Sequence, residues 1–150
     1  MIKKISLILV FFSLYNCGYE PLYLKSESLN FSISKLSLQG DKKINRRIVS
    51  VLNLKENKEE KSIYEYVLIS KKTVKIVSRD KKGNPSTYRM NISVKLSILN
   101  NDELIKGKIF NADFHYNNNI NKFDLSQYEK DIEINLINEI TDKIIIFLKS

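Results

Sequence analysis

The sequence predicts an α+β domain: a four-stranded, mainly antiparallel sheet with two helices packed on one face, in the order β-α-β-β-β-α. Three observations carry this prediction. Tyr88, Met90, Ile92, Val94, Leu96 and Ile98 alternate without a break with Arg89, Asn91, Ser93, Lys95 and Ser97, the period of a strand with one buried and one polar face. Leu125, Tyr128, Ile132, Leu136, Ile140, Ile144 and Leu148 recur every three or four residues, the period of a long amphipathic helix. Between and before these lie further alternating runs separated by short breaker sets. Alternation of this kind belongs to antiparallel sheets covered on one side.

The elements follow in order. Leu29, Phe31 and Ile33 alternate with polar residues, and Leu36 and Leu38 fall in the opposite phase, so a strand here requires a bulge near Lys35. Gly40-Asp41 ends it. Asp41 is placed to cap a helix whose apolar stripe is Ile44, Ile48, Val51 and Leu52 and whose other face is basic through Lys42, Lys43, Arg46 and Arg47. A charged connection, Asn53 to Lys61, leads to a long β-branched and aromatic strand from Ile63 to Val77, with an interruption expected near Ser70-Lys72. Arg79-Asp80-Lys81-Lys82-Gly83-Asn84-Pro85 is a turn. After the strand from Tyr88, Asn100-Asn101-Asp102 is a hairpin signal, and Leu104, Phe110, Ala112, Phe114 and Tyr116 give the partner strand. Asn117 to Lys122 is a polar loop. Asp124 with Gln127, or Ser126 with Glu129, is then the expected cap of the final helix, and Ile144-Ile145-Ile146-Phe147 predicts deeper burial at its C-terminal end than at its start.

The first residues have a different character. Lys3 and Lys4 precede an apolar run, Ile5 to Leu14, too short to cross a bilayer as a helix, so residues 1–16 are expected to be a signal peptide. It ends at Cys17, the chain's one cysteine. A lone cysteine in an exported chain has no partner for an internal disulfide. Leu14-Tyr15-Asn16-Cys17 resembles the lipobox of bacterial lipoproteins, with Tyr15 and Asn16 departing from the usual small residues, and the resemblance implies acylation at Cys17. Several acyl chains on one cysteine would hold a protein on a membrane essentially permanently, each buried methylene contributing roughly 0.8 kcal/mol. Residues 17–28, which include Pro21 and lack periodicity, are expected to form a lipidated start and tether, and residues 29–150 one domain.

Composition narrows the function further. The chain has 150 residues and a net charge of +8, two units of which reside in the signal peptide. The basic balance suits anionic partners, phosphorylated lipids among them, and export disfavours nucleic acid. The abundance of Ile, Lys and Asn together also fits a coding bias, which weakens any inference from charge alone. His115 is the one histidine, so the usual nitrogen and sulfur metal sets cannot be assembled and neither a metal nor a cofactor is expected. No nucleophile elbow, phosphate-binding glycine loop or Ser/His/Asp set occurs. Glu59-Glu60 lies in a solvated connection, and an enzymatic role is not expected.

Cys17-Gly18-Tyr19-Glu20-Pro21-Leu22-Tyr23 closely resembles the lipidated start of the LptE family of lipopolysaccharide-assembly lipoproteins, with Glu20 where an arginine is common. The resemblance continues through Thr87-Tyr88-Arg89 leading a strand, a strand carrying Gly107 and ending at Phe114-His115-Tyr116-Asn117, and Phe123 opening a long terminal helix. It implies an outer-membrane, periplasm-facing lipoprotein that forms the plug of the LptD β-barrel and assists lipopolysaccharide insertion into the outer leaflet. On the residues themselves, Arg79, Lys81, Lys82, Arg89 and Lys95 are the candidate lipopolysaccharide contacts, because their charges sit on the polar sheet face and its adjoining turn. The competing expectation is a stand-alone lipoprotein that binds an anionic lipid or small molecule in a concave apolar pocket.

Overall fold

The computed structural model describes residues 33–57 and 63–150. Their elements are β1 (Ile33–Gly40), α1 (Lys42–Val51), β2 (Tyr64–Arg79), β3 (Pro85–Asn100), β4 (Glu103–Asn117) and α2 (Lys122–Lys149). The expected β-α-β-β-β-α order and four-stranded sheet are present. The signal peptide, Cys17, the tether, Leu29, Phe31 and Glu59-Glu60 lie outside the described residues.

The strands lie in the order β1-β2-β3-β4. β2, β3 and β4 form an antiparallel meander, while β1 runs parallel to β2, as a strand must when α1 carries the chain back over the sheet. The expected bulge is found as a register shift between Ile33 and Lys35. Gly40 then stops β1. Its φ is +87°, and a Cβ there would lie 1.9 Å from the Ser70 carbonyl oxygen, so only glycine fits.

Asp41 caps α1, accepting from the amides of Lys43 (2.9 Å) and Ile44 (3.2 Å). Ile44, Ile48 and Leu52 are buried as the stripe requires, while Val51 sits at the stripe's margin and is exposed. The β3–β4 turn is the expected two-residue hairpin, Asn101 and Asp102 both having positive φ, the conformation that Asn and Asp tolerate.

Two local expectations are corrected. β2 is continuous through Ser70-Lys72: Ser70 is buried, its hydroxyl donating to the Asp41 carbonyl at 3.1 Å and its own carbonyl accepting from the Asp41 amide at 3.2 Å. A polar residue is tolerated there because it ties the β1–α1 turn to the sheet. The cap of α2 is Asn121, whose side chain accepts from the Phe123 amide at 3.0 Å, and Asp124 lies instead in the first turn, where its charge complements the helix dipole. As expected, the C-terminal end of α2 is buried more completely than its start: Ile144 is buried and Ile145, Phe147 and Leu148 half-buried, whereas Leu125 alone is buried among residues 122–131. Burial is greatest from Ile132 to Ile144, and Ile146 points outward because four consecutive apolar residues wrap around a helix.

The core lies between one face of the sheet and both helices. Tyr66, Leu68, Met90, Ile92, Val94, Leu96, Phe110 and Ala112 meet Ile44 and Ile48 of α1 and Leu136, Ile137, Ile140 and Ile144 of α2. Where α1, α2 and β2 converge, the buried carboxylate of Glu133 receives Lys72 Nζ at 2.7 Å on Oε2. Lys43 Nζ meets Oε1 at 2.9 Å as an ion pair off the hydrogen-bond direction. Burial alone would raise this carboxyl, but the two lysines outweigh it and hold it below the usual range.

Candidate functional site

The face opposite the helices is the candidate site, and strand alternation determines which side chains it carries. From β2 come Val67, Ile69, Lys71, Thr73 and Lys75, from β3 Arg89, Asn91, Ser93, Lys95 and Ser97, and from β4 Gly107, Ile109, Asn111, Asp113 and His115. Cross-strand pairing sorts them into two zones. Ile69, Lys95 and Ile109 share a row, and beside it Val67, Ser97 and Gly107 form a shallower one, since Gly107 has no side chain. Further along, Lys71 pairs with Ser93, and Lys75 with Arg89. One end of the face is therefore apolar with a lysine in its middle, and the other is basic.

The sequence-predicted residues do not gather into one cluster. Arg79 donates to the Gly83 carbonyl at 2.7 Å, closing the β2–β3 turn, and Asp80 accepts from the amides of Lys82 (2.8 Å) and Asn84 (2.9 Å). The Asn84 bond is the leading reason that the Asp80 carboxyl is held below its usual range. Lys81 and Lys82 are left as the exposed tip of this ordered turn. Arg89 is bidentate to Asp113, at 3.0 and 2.9 Å, which draws the carboxyl down and the guanidinium up. Its charge is thus partly neutralised from within. Lys95 stands in the apolar zone, ten positions along the strand from Pro85, roughly 33 Å from the turn at about 3.3 Å per residue.

Lys71 and Lys75 bridge that gap and were missed. Their signal is in the sequence, since they continue the phase of Val67 and Ile69, but an interruption assumed at Ser70-Lys72 breaks the phase. Together with Lys95 they carry no ion pair among the described residues. Unpaired ammonium groups beside exposed isoleucines suit a ligand that is anionic in one part and apolar in another. His115 is exposed near the end of β4, across from Arg89.

Two surface hollows lie away from this face. One, of about 590 Å³, runs between the helices and is lined by Lys42, Lys43, Arg46, Arg47, Val51 and Ile137. Arg47 is tied there to Asn138 at 3.3 Å, and Lys43 to Glu133. The other, of about 440 Å³, lies where β4 meets α2, beside Tyr116 and Tyr128. Tyr116 donates to Glu129 at 2.7 Å, and burial, reinforced by this bond, pushes its phenol well up. Among the described residues no cluster of His, Cys, Asp and Glu could hold a metal ion.

No family model and no curated protein matches the chain. Solved structures do. Rare lipoprotein B from Shewanella oneidensis superposes with a TM-score of 0.56 at 17% identity, covering 77% of this chain and 93% of that one. An uncharacterized lipoprotein B from Nitrosomonas europaea gives 0.52 at 13% identity, covering 77% and 85%. A minor lipoprotein from Acinetobacter baumannii gives 0.50 at 17% identity, covering 74% and 87%. What is shared is the fold. At these identities the side chains of a surface site are free to differ, so the basic and apolar zones must be judged on this chain's own residues.

Proposed function

We propose that this protein is an outer-membrane lipoprotein, anchored through Cys17, that seats as a plug in the lumen of an LptD-like β-barrel and assists lipopolysaccharide transport to the outer leaflet. One conjunction carries the proposal: a lipobox-like Cys17 opening the Cys-Gly-Tyr-Glu-Pro-Leu-Tyr run, joined to a fold that this chain shares with three solved lipoproteins. The open sheet face supports it. A polar, partly basic surface can remain hydrated inside a barrel lumen while the opposite face is closed by helices.

The lipid contacts belong to the same face. Lys71, Lys75 and Lys95 are the strongest candidates for lipid phosphates, since Arg79 and Arg89 already bond within the chain, while Ile69 and Ile109 offer apolar contact. Lys81 and Lys82 at the turn tip supply a second, separate basic point. Each surface lysine contributes about 1 kcal/mol to attraction by an anionic lipid surface, so reversing Lys71, Lys75 and Lys95 to Glu should weaken lipopolysaccharide binding at least about tenfold. Reversing Lys81 and Lys82 should weaken it less. Both losses should shrink as salt rises. Binding unchanged in the triple variant would remove the sheet face from the proposal.

The plug role is tested by purifying tagged protein from outer membranes and identifying what accompanies it by mass spectrometry. A large barrel protein in stoichiometric yield is the expected result. A monodisperse, partnerless protein in mild detergent would overturn the plug role and favour the stand-alone alternative, for which the groove between α1 and α2 is the anion site to examine.

A further inference from the structure

The sheet has an edge that its own described residues do not cover. β1 pairs with β2 only as far as Gly40 opposite Ser70, yet β2 continues to Arg79. Nine residues, Lys71 to Arg79, therefore run beside β3 on one side and present their other side to solvent. Every residue of the stretch is exposed except Thr73, which is half-buried.

The backbone phase of this edge follows from one hydrogen bond. The Ser70 carbonyl faces the β1 side, since it accepts from the Asp41 amide. In a strand the N–H and C=O of one residue point the same way and alternate along the chain, so Lys72, Val74 and Ile76 also direct both groups outward. The register with β3 is regular to Ile76 and breaks only between Ile76 and Arg79. Three donors and three acceptors thus stand in line on a straight edge of the kind that accepts an added strand.

Side chains specify what the added strand should be. On the helix face of this stretch Val74 and Ile76 remain 46% and 44% exposed, beyond the reach of either helix. On the open face Lys71 and Lys75 flank Thr73 and pair with no acid. The edge is apolar on one side and cationic on the other, with no acidic residue from Lys71 to Arg79. A second copy of the same edge would set lysine against lysine, the arrangement that blocks self-pairing. We infer that the β2 edge from Lys71 to Ile76 is a docking site for an extended segment of a partner protein in which acidic and apolar residues alternate. Its backbone completes the ladder of Lys72, Val74 and Ile76, its acidic side chains lie by Lys71 and Lys75, and its apolar ones lie by Val74 and Ile76. This inference does not require lipid binding or a barrel partner, and goes beyond both.

The test uses the full chain in mild detergent and a synthetic peptide of about ten residues alternating glutamate and valine, the length of a long strand. Amide exchange should be fast at Lys72, Val74 and Ile76 in the free chain and slow at least about tenfold on adding peptide, with the amides of Thr73 and Lys75 protected throughout by β3. Val74→Pro with Ile76→Pro removes two outward donors without touching the β3 ladder, as proline on an edge strand allows, and should weaken peptide binding about tenfold. Lys71→Glu with Lys75→Glu, which leaves the backbone intact, should reverse preference toward a peptide alternating lysine and valine. Amides of Lys72, Val74 and Ile76 already slow in the free chain would overturn the inference, since the chain's own residues or a second copy would then occupy the edge. So would binding unaffected by both variants.

Discussion

Replacing Lys72 with Met should destabilise the fold in a pH-dependent way, because it strips one cation from a buried carboxylate shared by three elements. Glu133 on α2 is 5% exposed and is held by Lys72 of β2 at 2.7 Å and Lys43 of α1 at 2.9 Å, whose side chains are 33% and 60% exposed. Removing one partner of a fully buried pair costs about 3–5 kcal/mol. Here Lys43 stays and Lys72 is a third open to water, so the cost falls to about 1–2 kcal/mol, with Met preserving the packing of the lysine stem. For a domain of this size that lowers the melting temperature by about 3–10 °C. The sign with pH follows from the carboxyl being held below its ordinary value of 4.5: its contribution is complete above that value and is lost as pH falls through the folded one. Urea unfolding of wild type and Lys72→Met near neutral pH and again near pH 3 should therefore show a deficit at the first and little at the second. Glu133→Leu should cost less than Lys72→Met, since it leaves two lysines that water can reach in place of a stranded carboxylate. A neutral-pH deficit below about 0.5 kcal/mol, a deficit that persists in acid, or a larger loss in Glu133→Leu would refute the assignment.

Two further outcomes are expected. Gly40→Ala should cost about 2–4 kcal/mol by thermal unfolding, combining a positive φ with a Cβ driven onto the Ser70 carbonyl, whereas Gly83→Ala, with a similar φ and open space around it, should cost about 1 kcal/mol. Equal losses would mean that close approach at Gly40 is relieved by the backbone. Cys17→Ser should move the protein from the membrane to the soluble fraction and abolish the mass increment of acylation. Membrane retention without that increment would place the anchor elsewhere.

The elements were legible where one physical cause dominated. The strand from Tyr88 alternates because one face meets the helices and the other meets water. Ile132, Leu136, Ile140 and Ile144 were legible because a helix lying across a sheet buries one stripe. What was not legible depends on contacts distant in sequence. Ser70 reads as a strand breaker until its bonds to Asp41 are seen, and with β2 broken there the phase that places Lys71 and Lys75 on the open face is lost. Parallel pairing of β1 with β2 is likewise a matter of topology that alternation does not encode. Arg79, Lys81 and Lys82 are candidates for their charge on a turn and Arg89 and Lys95 for theirs on the polar strand face, and sequence proximity does not reveal that Asp113, twenty-four residues from Arg89, neutralises one of them while the Gly83 carbonyl occupies another.

The distribution of the exposed apolar residues bears on whether this domain functions alone. β1 covers the edge of β2 only as far as Gly40 opposite Ser70, while α2 continues across β3 and β4 and keeps Met90, Ile92, Ala112 and Tyr116 buried. Beyond that point Val74 and Ile76 of β2 and Phe114 of β4 are left exposed on the helix side at the sheet's margins, with Lys71, Lys75 and Arg89 on the other face. A domain that worked free in water would gain from polar residues at the exposed apolar positions, since exposed apolar patches favour aggregation. Exposed apolar residues, a regular uncovered edge and a basic face lying close together fit instead the enclosed setting proposed above, in which protein meets the apolar and edge groups and an anionic ligand meets the lysines. The lysines at 71 and 75 serve under either condition: they deter a second copy when the edge is free, and they select acidic chemistry when it is filled.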